Sequence, residues 1–246
     1  MEKKPQWFEI WFDSPYYPIL YKNRNIDEAQ FFINNLLTWL QAEKDSRILD
    51  LACGRGRHAN YLAQKGYSVV GIDISAKSIQ TAQMRYQADN LDFYIQDMRL
   101  PFRINYFDYI FNFFTSFGYF SSLDENQAVF AAISKGLKKG GKVMIDFMNV
   151  EKVINNIVER EEKTVDGVNF YIRREIHDGK IEKHIKVDDG NKIYMFNEEV
   201  QILKPHHFYT FMHEEGFKLV KEFGDYALNP FNANQSDRYI IVAEKV

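Results

Sequence analysis

From residue 47 onward, short apolar runs alternate with longer polar stretches in which apolar residues return every three or four positions. Ile48-Leu49-Asp50-Leu51-Ala52 reads as a buried strand, and His58 to Lys65 as a helix closed by Gly66. Val69 to Asp73 forms a second strand, and Ser75 then caps a helix running to about Ala88. Phe93 to Gln96 and Phe107 to Phe114 are the third and fourth strands. A helix turning Phe130, Ile133 and Leu137 inward ends at Gly140-Gly141, before a fifth strand from Val143 to Phe147. Strand–helix alternation of this kind predicts a parallel sheet covered on both faces. Ahead of it, Ile26, Ala29, Phe32, Ile33, Leu36, Leu37 and Leu40 mark an amphipathic helix. Residues 1–25, with three Pro and many aromatics, read as an irregular arm with a short helical turn.

The rhythm changes after about residue 150. Beyond a helix near 150–159, Val168, Phe170 and Ile172 alternate with Asn169, Tyr171 and Arg173. Asp166-Gly167, Asp178-Gly179 and Asp189-Gly190 are hairpin-turn pairs. Residues 160–204 therefore read as an antiparallel β insertion after the fifth strand. A helix from about Pro205 to Gly216 and two last strands, 217–223 and 238–245, return the chain to the first unit. The organisation is an arm and core over 1–159, the insertion over 160–204, and closing elements over 205–246.

Composition narrows the function classes. A formal net charge of −3 lacks the electrostatic footprint of a protein that binds nucleic acid or an anionic membrane. The single Cys53 excludes an intrachain disulfide and a multi-cysteine metal site. No secretory h-region follows the N-terminus, and no apolar run approaches the ~20 residues of a membrane helix. A cytoplasmic location is expected.

The chemistry concentrates at the ends of the first three strands. In Asp50-Leu51-Ala52-Cys53-Gly54-Arg55-Gly56, a strand ends, the chain turns sharply and a helix begins. Gly54 and Gly56 lack a Cβ, so the backbone can bend tightly and approach a ligand edge-on. Ligands of such sheets sit beyond the carboxyl ends of the strands, where this loop lies. Asp73 ends the next strand at close to the ~20-residue spacing of a ribose-binding acid; its alternative role is a helix-start acid. Gln96-Asp97-Met98 ends the third strand and offers an acceptor for an adenine amine, with Met98 to pack on the ring.

Taken in order, these residues resemble the class I S-adenosylmethionine-dependent methyltransferase family of small-molecule type. The resemblance covers about residues 45–150, and the last two strands fit the family's closing antiparallel pair. It implies an α/β, Rossmann-like, doubly wound, seven-stranded and mostly parallel sheet, with S-adenosylmethionine as methyl donor. Asp50 and Gly54 would then lie beside the methionine end, Asp73 on the ribose and Asp97 at adenine. Ala52, Cys53, Gly56, Ile74, Gln96, Met98, Asn112 and Phe113 would complete the cofactor's surroundings, with Arg24 of the arm covering it. Cys53 is expected to be a packed thiol and not a nucleophile. DNA amino-methyltransferases carry an Asn-Pro-Pro-Tyr type motif after the fourth strand; Asn112-Phe113-Phe114-Thr115 lacks both prolines.

The acceptor side is less determined. Tyr17, Phe117, Tyr119, Tyr171, Arg173 and Arg238 are its candidate residues, with the insertion as a lid over a small-molecule acceptor. No paired-carboxylate, Ser–His–Asp or His-cluster arrangement stands out, so neither a catalytic residue nor a metal ligand is assigned. The absence of an evident base leans toward N-methylation or an already ionised oxygen. A monomer or homodimer, with no nucleic-acid or membrane partner, is expected. Two other functions stay open. Gly54-x-Gly56-x-x-Ala59 also fits a dinucleotide fingerprint, hence an NAD-dependent oxidoreductase. The other is a non-catalytic S-adenosylmethionine-binding regulatory protein.

Overall fold

The computed structural model describes residues 6–22 and 26–246. The arm holds two short helices, α1 (Trp7–Phe12) and α2 (Tyr17–Leu20), followed by α3 (Ile26–Leu40). The core then runs β1 (Arg47–Leu51), α4 (Arg57–Gln64), β2 (Ser68–Asp73), α5 (Ala76–Arg85), β3 (Leu91–Ile95), β4 (Phe107–Asn112), α6 (Leu123–Gly136) and β5 (Leu137–Met148). After α7 (Val150–Asn155) come β6 (Arg160–Val165), β7 (Val168–His177), β8 (Lys180–Asp188) and β9 (Ile193–Gln201). The chain closes with α8 (Pro205–Glu214), β10 (Phe217–Phe223) and β11 (Arg238–Lys245).

The main sheet has seven strands in the order β10-β11-β5-β4-β1-β2-β3. Only β11 runs against its neighbours, antiparallel to both β5 and β10. The order reverses between β1 and β4, which pair in parallel and open a crevice at their carboxyl ends. One face of the sheet is covered by α3, α4 and α5, through Phe32, Leu36, Leu62 and Ile79. The other is covered by α6 and α8, through Phe130, Ile133, Phe208 and Phe211. Burial on both faces is why the central strands are near-continuous apolar runs.

Two boundaries differ from the sequence pattern. The run Phe130, Ile133, Leu137 keeps helical spacing, yet Leu137 opens β5 and pairs with Phe107. A turn through Gly140 (φ +75) then carries the strand onward, since only glycine enters that region without strain. At the other edge, β4 stops at Asn112, because Phe114 and Thr115 both adopt positive φ. Their N–H groups turn to Asp146 of β5 instead, at 2.9 Å to its carboxylate and 2.9 Å to its carbonyl.

Residues 160–201 form the expected antiparallel sheet, in the order β6-β7-β8-β9. Its inner face packs Phe170, Ile172, Ile185 and Val187 against Trp11, Tyr16 and Leu20 of the arm. Polar ties reinforce that seam: Trp11 Nε1 donates to Glu198 (2.6 Å) and Tyr16 Oη to Asp189 (2.5 Å). The arm is equally fixed to the core, where Ser75 donates to the Asp13 carboxylate and Phe8 meets Phe120 at 6.2 Å. Gln201 N–H donates to Gly118 O (2.8 Å), joining β9 to the loop after β4.

Candidate active site

The loops after β1, β2 and β3, roofed by the arm, enclose a cavity of about 720 Å³. Ala52 and Gly54 line it from the first loop, Asp73 and Ile74 from the second, and Gln96, Asp97 and Met98 from the third. Tyr17 and Tyr119 line it as well. Residues that sequence reasoning left out also contribute: Phe8 and Phe12 from α1, Ser78 from α5, and Ser116. The only signal for Phe8 and Phe12 was their four-residue spacing on a short apolar turn.

The two glycines of the first loop serve different ends. A Cβ on Gly54 would meet nothing within 4 Å, which leaves its backbone open to the cavity. A Cβ on Gly56 would sit 2.6 Å from the Phe93 ring, so Gly56 answers to helix–strand packing, with φ +78 at the α4 N-cap. Gly54 N–H donates to one oxygen of Asp73 and Ser75 N–H to the other, each at 2.8 Å. The carboxylate is thereby fixed in orientation, and lone pairs on both oxygens stay available for vicinal hydroxyls. Burial raises Asp73 above the ordinary aspartate range, opposed by those two N–H groups.

Asp97 is held just as firmly. Arg99 reaches it through both its backbone N–H (2.9 Å) and its guanidinium (2.5 Å), and bridges on to Glu125. The same guanidinium lies over the Phe120 ring, 4.7 Å from its centroid. The third-strand acid is thus a preset acceptor against an aromatic wall.

Several predicted site residues lie elsewhere. Asp50 is buried behind the loop and accepts the Ala59 N–H (3.0 Å), securing the first turn of α4. Cys53 is a packed thiol, pushed well above its ordinary pKa by burial. Asn112 is fully buried and donates to Leu51 O (2.8 Å), locking β4 to β1. Phe113 belongs to the core beside Phe32 and Phe111. Phe117, expected on a pocket wall, is fully buried between Phe130 and Phe208. Tyr171 and Arg173 point to the outer face of the small sheet, because strand parity sets them opposite Phe170 and Ile172. Arg238 pairs with the buried Asp146 (2.7 Å) and still lines the larger cleft described below. Arg24 lies outside the described residues.

Burial pushes Asp50 from the ordinary 3.8 up to about 7, with the Ala59 N–H opposing and the Asp73 charge adding. A group whose pKa rises on folding stabilises the fold fully below its unfolded pKa. That contribution is lost as pH rises through the folded value. The parent should therefore lose stability between about pH 4 and 7 through this residue. Asp50→Asn should flatten the decline, read from urea midpoints at about pH 5 and pH 8. Parallel profiles for parent and variant would remove Asp50 as the cause.

A second, larger cleft of about 1,830 Å³ adjoins the first and shares Phe12, Tyr17 and Tyr119 with it. Thr115, Tyr226 and Arg238 line its floor at the carboxyl ends of β4 and β5. Arg174, Lys183 and Glu198 line the opposite wall, from the inner face of the small sheet. Phe12 packs on Tyr17 and Tyr119, at 4.9 and 5.5 Å, so an aromatic partition stands between the two spaces.

Residues 48–141 match the family described as "Methyltransferase domain". A solved S-adenosylmethionine-dependent methyltransferase from Clostridium acetobutylicum superposes with a TM-score of 0.80, at 19% identity, over 94% of this chain and 96% of that one. An S-adenosylmethionine-bound amino pentose methyltransferase from Micromonospora echinaspora superposes at 0.69, with 18% identity and coverage of 95% and 98%. A dTDP-3-amino-3,4,6-trideoxy-alpha-D-glucopyranose N,N-dimethyltransferase from Streptomyces venezuelae is 28% identical over 60% of this chain and 63% of its own length. Other curated relatives match over little more than half their length, 58% for one from Geobacillus and 56% for one from Invertebrate iridescent virus 6. Residues 48–141 thus match a methyltransferase domain, and the chain shares the fold of solved S-adenosylmethionine-dependent methyltransferases.

Proposed function

We propose that this protein transfers the methyl group of S-adenosylmethionine to the amine nitrogen of a small-molecule acceptor. The carrying observation is the pair of adjoining cavities, one floored by Gly54, Asp73 and Asp97, the other open beyond the Phe12–Tyr17–Tyr119 partition. The first fits the cofactor on its own geometry. Gly54 leaves room for close backbone approach, Asp73 would hold a ribose diol, and Asp97 with Met98 would meet a purine edge and ring. When bound, S-adenosylmethionine supplies a methyl carbon activated by positive sulfur.

The second cavity supports an amine as acceptor. Glu28, Glu198, Asp225 and Asp237 line it with the cations Arg174, Lys183 and Arg238. Those cations already face carboxylates: Arg174 meets Glu161, Lys183 meets Glu198 and Arg238 meets Asp146. With Asp237 paired to Lys152, Glu28 and Asp225 leave acid in excess beside the exposed ring of Phe31, a setting that attracts an ammonium ion. Three backbone and side-chain hydrogen bonds from Ala227 and Asn229 keep Asp225 ionised. The amine enters as a cation, gives its proton to a cleft carboxylate or water, and presents a lone pair to the methyl. With S-adenosylmethionine bound, transfer would form the N–C bond as the C–S electrons return to sulfur, giving a methylated ammonium and a neutral thioether. The partition and the small sheet hold the two partners in line and exclude water. The relatives named for amino-sugar substrates support the same acceptor class.

The test is release of S-adenosylhomocysteine with matched acceptors, amino sugars against the same sugars bearing hydroxyl. Turnover should require the amine, and Glu28→Gln with Asp225→Asn should raise KM about tenfold or more. Equal turnover of the hydroxyl counterparts would overturn the amine assignment. No helix among the described residues is long and apolar enough to cross a membrane.

A further inference from the structure

The outer face of the small sheet, opposite the acceptor cleft, gathers donors of a different kind. Register sets Glu175 of β7 directly across from Glu182 of β8, and His184 of β8 across from Asn197 of β9. One ligand atom from each of Glu175, Glu182 and His184 lies within 4.8 Å of the others. His184 Nε2 is 2.9 Å from Glu175 Oε1 and 3.7 Å from Glu182 Oε2. Its Nδ1 is 3.0 Å from Asn197 Oδ1. An amide oxygen only accepts, so Nδ1 carries the hydrogen and Nε2 is the nitrogen turned to the carboxylates. Carboxylate oxygens also only accept, so something positive must stand between them and Nε2: a proton or a metal ion. An imidazole anchored by one N–H, with its other nitrogen aimed among carboxylates, is how proteins orient histidine for metal. His177 Nδ1 lies on the same face, 3.6 Å from Glu182 Oε1.

We propose that Glu175, Glu182 and His184 bind a divalent transition ion of the zinc class. Imidazole nitrogen with carboxylate oxygen favours zinc, cobalt or nickel over magnesium and calcium. Arg173 does not block the site, since it holds Glu175 by Oε2 (2.6 Å) and leaves Oε1 toward His184. Other charged groups on this face include Arg160 and Glu162 of β6, Lys180, paired with Glu199 at 2.9 Å, Lys186, and Asp178 beside His177 at 3.5 Å. Protons compete with the ion for the ligand nitrogen of His184.

The site sits back to back with the acceptor cleft. Lys183, between the ligands Glu182 and His184, points inward to Glu198 (3.1 Å), and both line the cleft. Arg174, next to Glu175, lines it too. An ion clamping β7 to β8 from behind stiffens the wall that carries these side chains, without touching the methyl-transfer chemistry.

The experiment is calorimetric titration of chelator-treated full-length protein with Zn²⁺, with Mg²⁺ as control. One zinc per chain should bind with micromolar Kd at about pH 7.5, weaken at least tenfold near pH 5.5, and weaken at least tenfold in His184→Ala. Mg²⁺ should give no heat. S-adenosylhomocysteine affinity should be unchanged in His184→Ala, which shows the variant is folded. The competing zinc ligands are His206 and His207, with ring centroids 4.0 Å apart. Absence of zinc binding would overturn the proposal, and so would binding that survives His184→Ala but is lost in His206→Ala.

Discussion

Arg238→Ala should destabilise the protein by about 3–5 kcal/mol, the cost of leaving a buried carboxylate without its partner. The reason lies in Asp146, which is fully buried near the end of β5. Three donors hold its carboxylate: Arg238 Nε at 2.7 Å, the Phe114 N–H at 2.9 Å and Tyr226 Oη at 3.2 Å. Only the first brings charge. Arg238 also donates to Thr115 Oγ1 (2.8 Å), pinning the two-residue stretch of positive φ that ends β4. Removing the guanidinium leaves a negative charge in the core and frees the strained turn at the floor of the larger cleft. For a chain of this size the melting temperature should fall by roughly 6–20 °C. Asp146→Asn in the Arg238→Ala background should recover part of the loss, because the uncompensated charge goes with it. A shift below about 1 kcal/mol in urea denaturation would mean the pair is solvated and carries little.

Asp73→Ala should weaken S-adenosylhomocysteine by roughly 10- to 150-fold, equivalent to about 1.5–3 kcal/mol of charge-assisted hydrogen bonding. Two effects act together. The carboxylate lost is the one positioned for a ribose diol, and it is also the acceptor that holds Gly54 N–H toward the cavity. Asp73→Asn keeps one acceptor oxygen and should fall between the parent and alanine. The thermal midpoint should move little, because Ser75 still caps α5 by accepting the Ser78 N–H (3.0 Å). Unchanged affinity with a lowered melting temperature would assign Asp73 to the turn alone.

The parallel core was legible because its central strands, buried on both faces, leave unbroken apolar runs, and the first three predicted strands ended in residues that now stand at the cavity: Ala52, Asp73 and Gln96. The small sheet was legible from period-two alternation between Asp-Gly turns. Its parity correctly separated Phe170 and Ile172 from Tyr171 and Arg173, but which face meets the cleft depends on where the arm docks. That is a contact between Trp11 or Tyr16 and strands more than a hundred residues away, such as the 173-residue separation of Tyr16 and Asp189. The aromatic run after β4 was ambiguous for a local reason. Positive φ at Phe114, Thr115 and Gly118 rotates successive side chains irregularly, so no period told Phe117 in the core from Tyr119 on the partition. The partner of Arg238 was hidden by its 92-residue separation from Asp146. Cross-strand register likewise created the Glu175–Glu182–His184 cluster, which no linear spacing announced.

The central claim is that the cavity beneath the arm is built for S-adenosylmethionine and not for a dinucleotide. Its most direct test is isothermal titration of the full-length protein with S-adenosylhomocysteine and, separately, with NAD. One molecule of S-adenosylhomocysteine should bind per chain with micromolar Kd, roughly −7 to −8 kcal/mol, and NAD should give no saturable heat. Tight NAD binding, with no response to S-adenosylhomocysteine, would contradict the account.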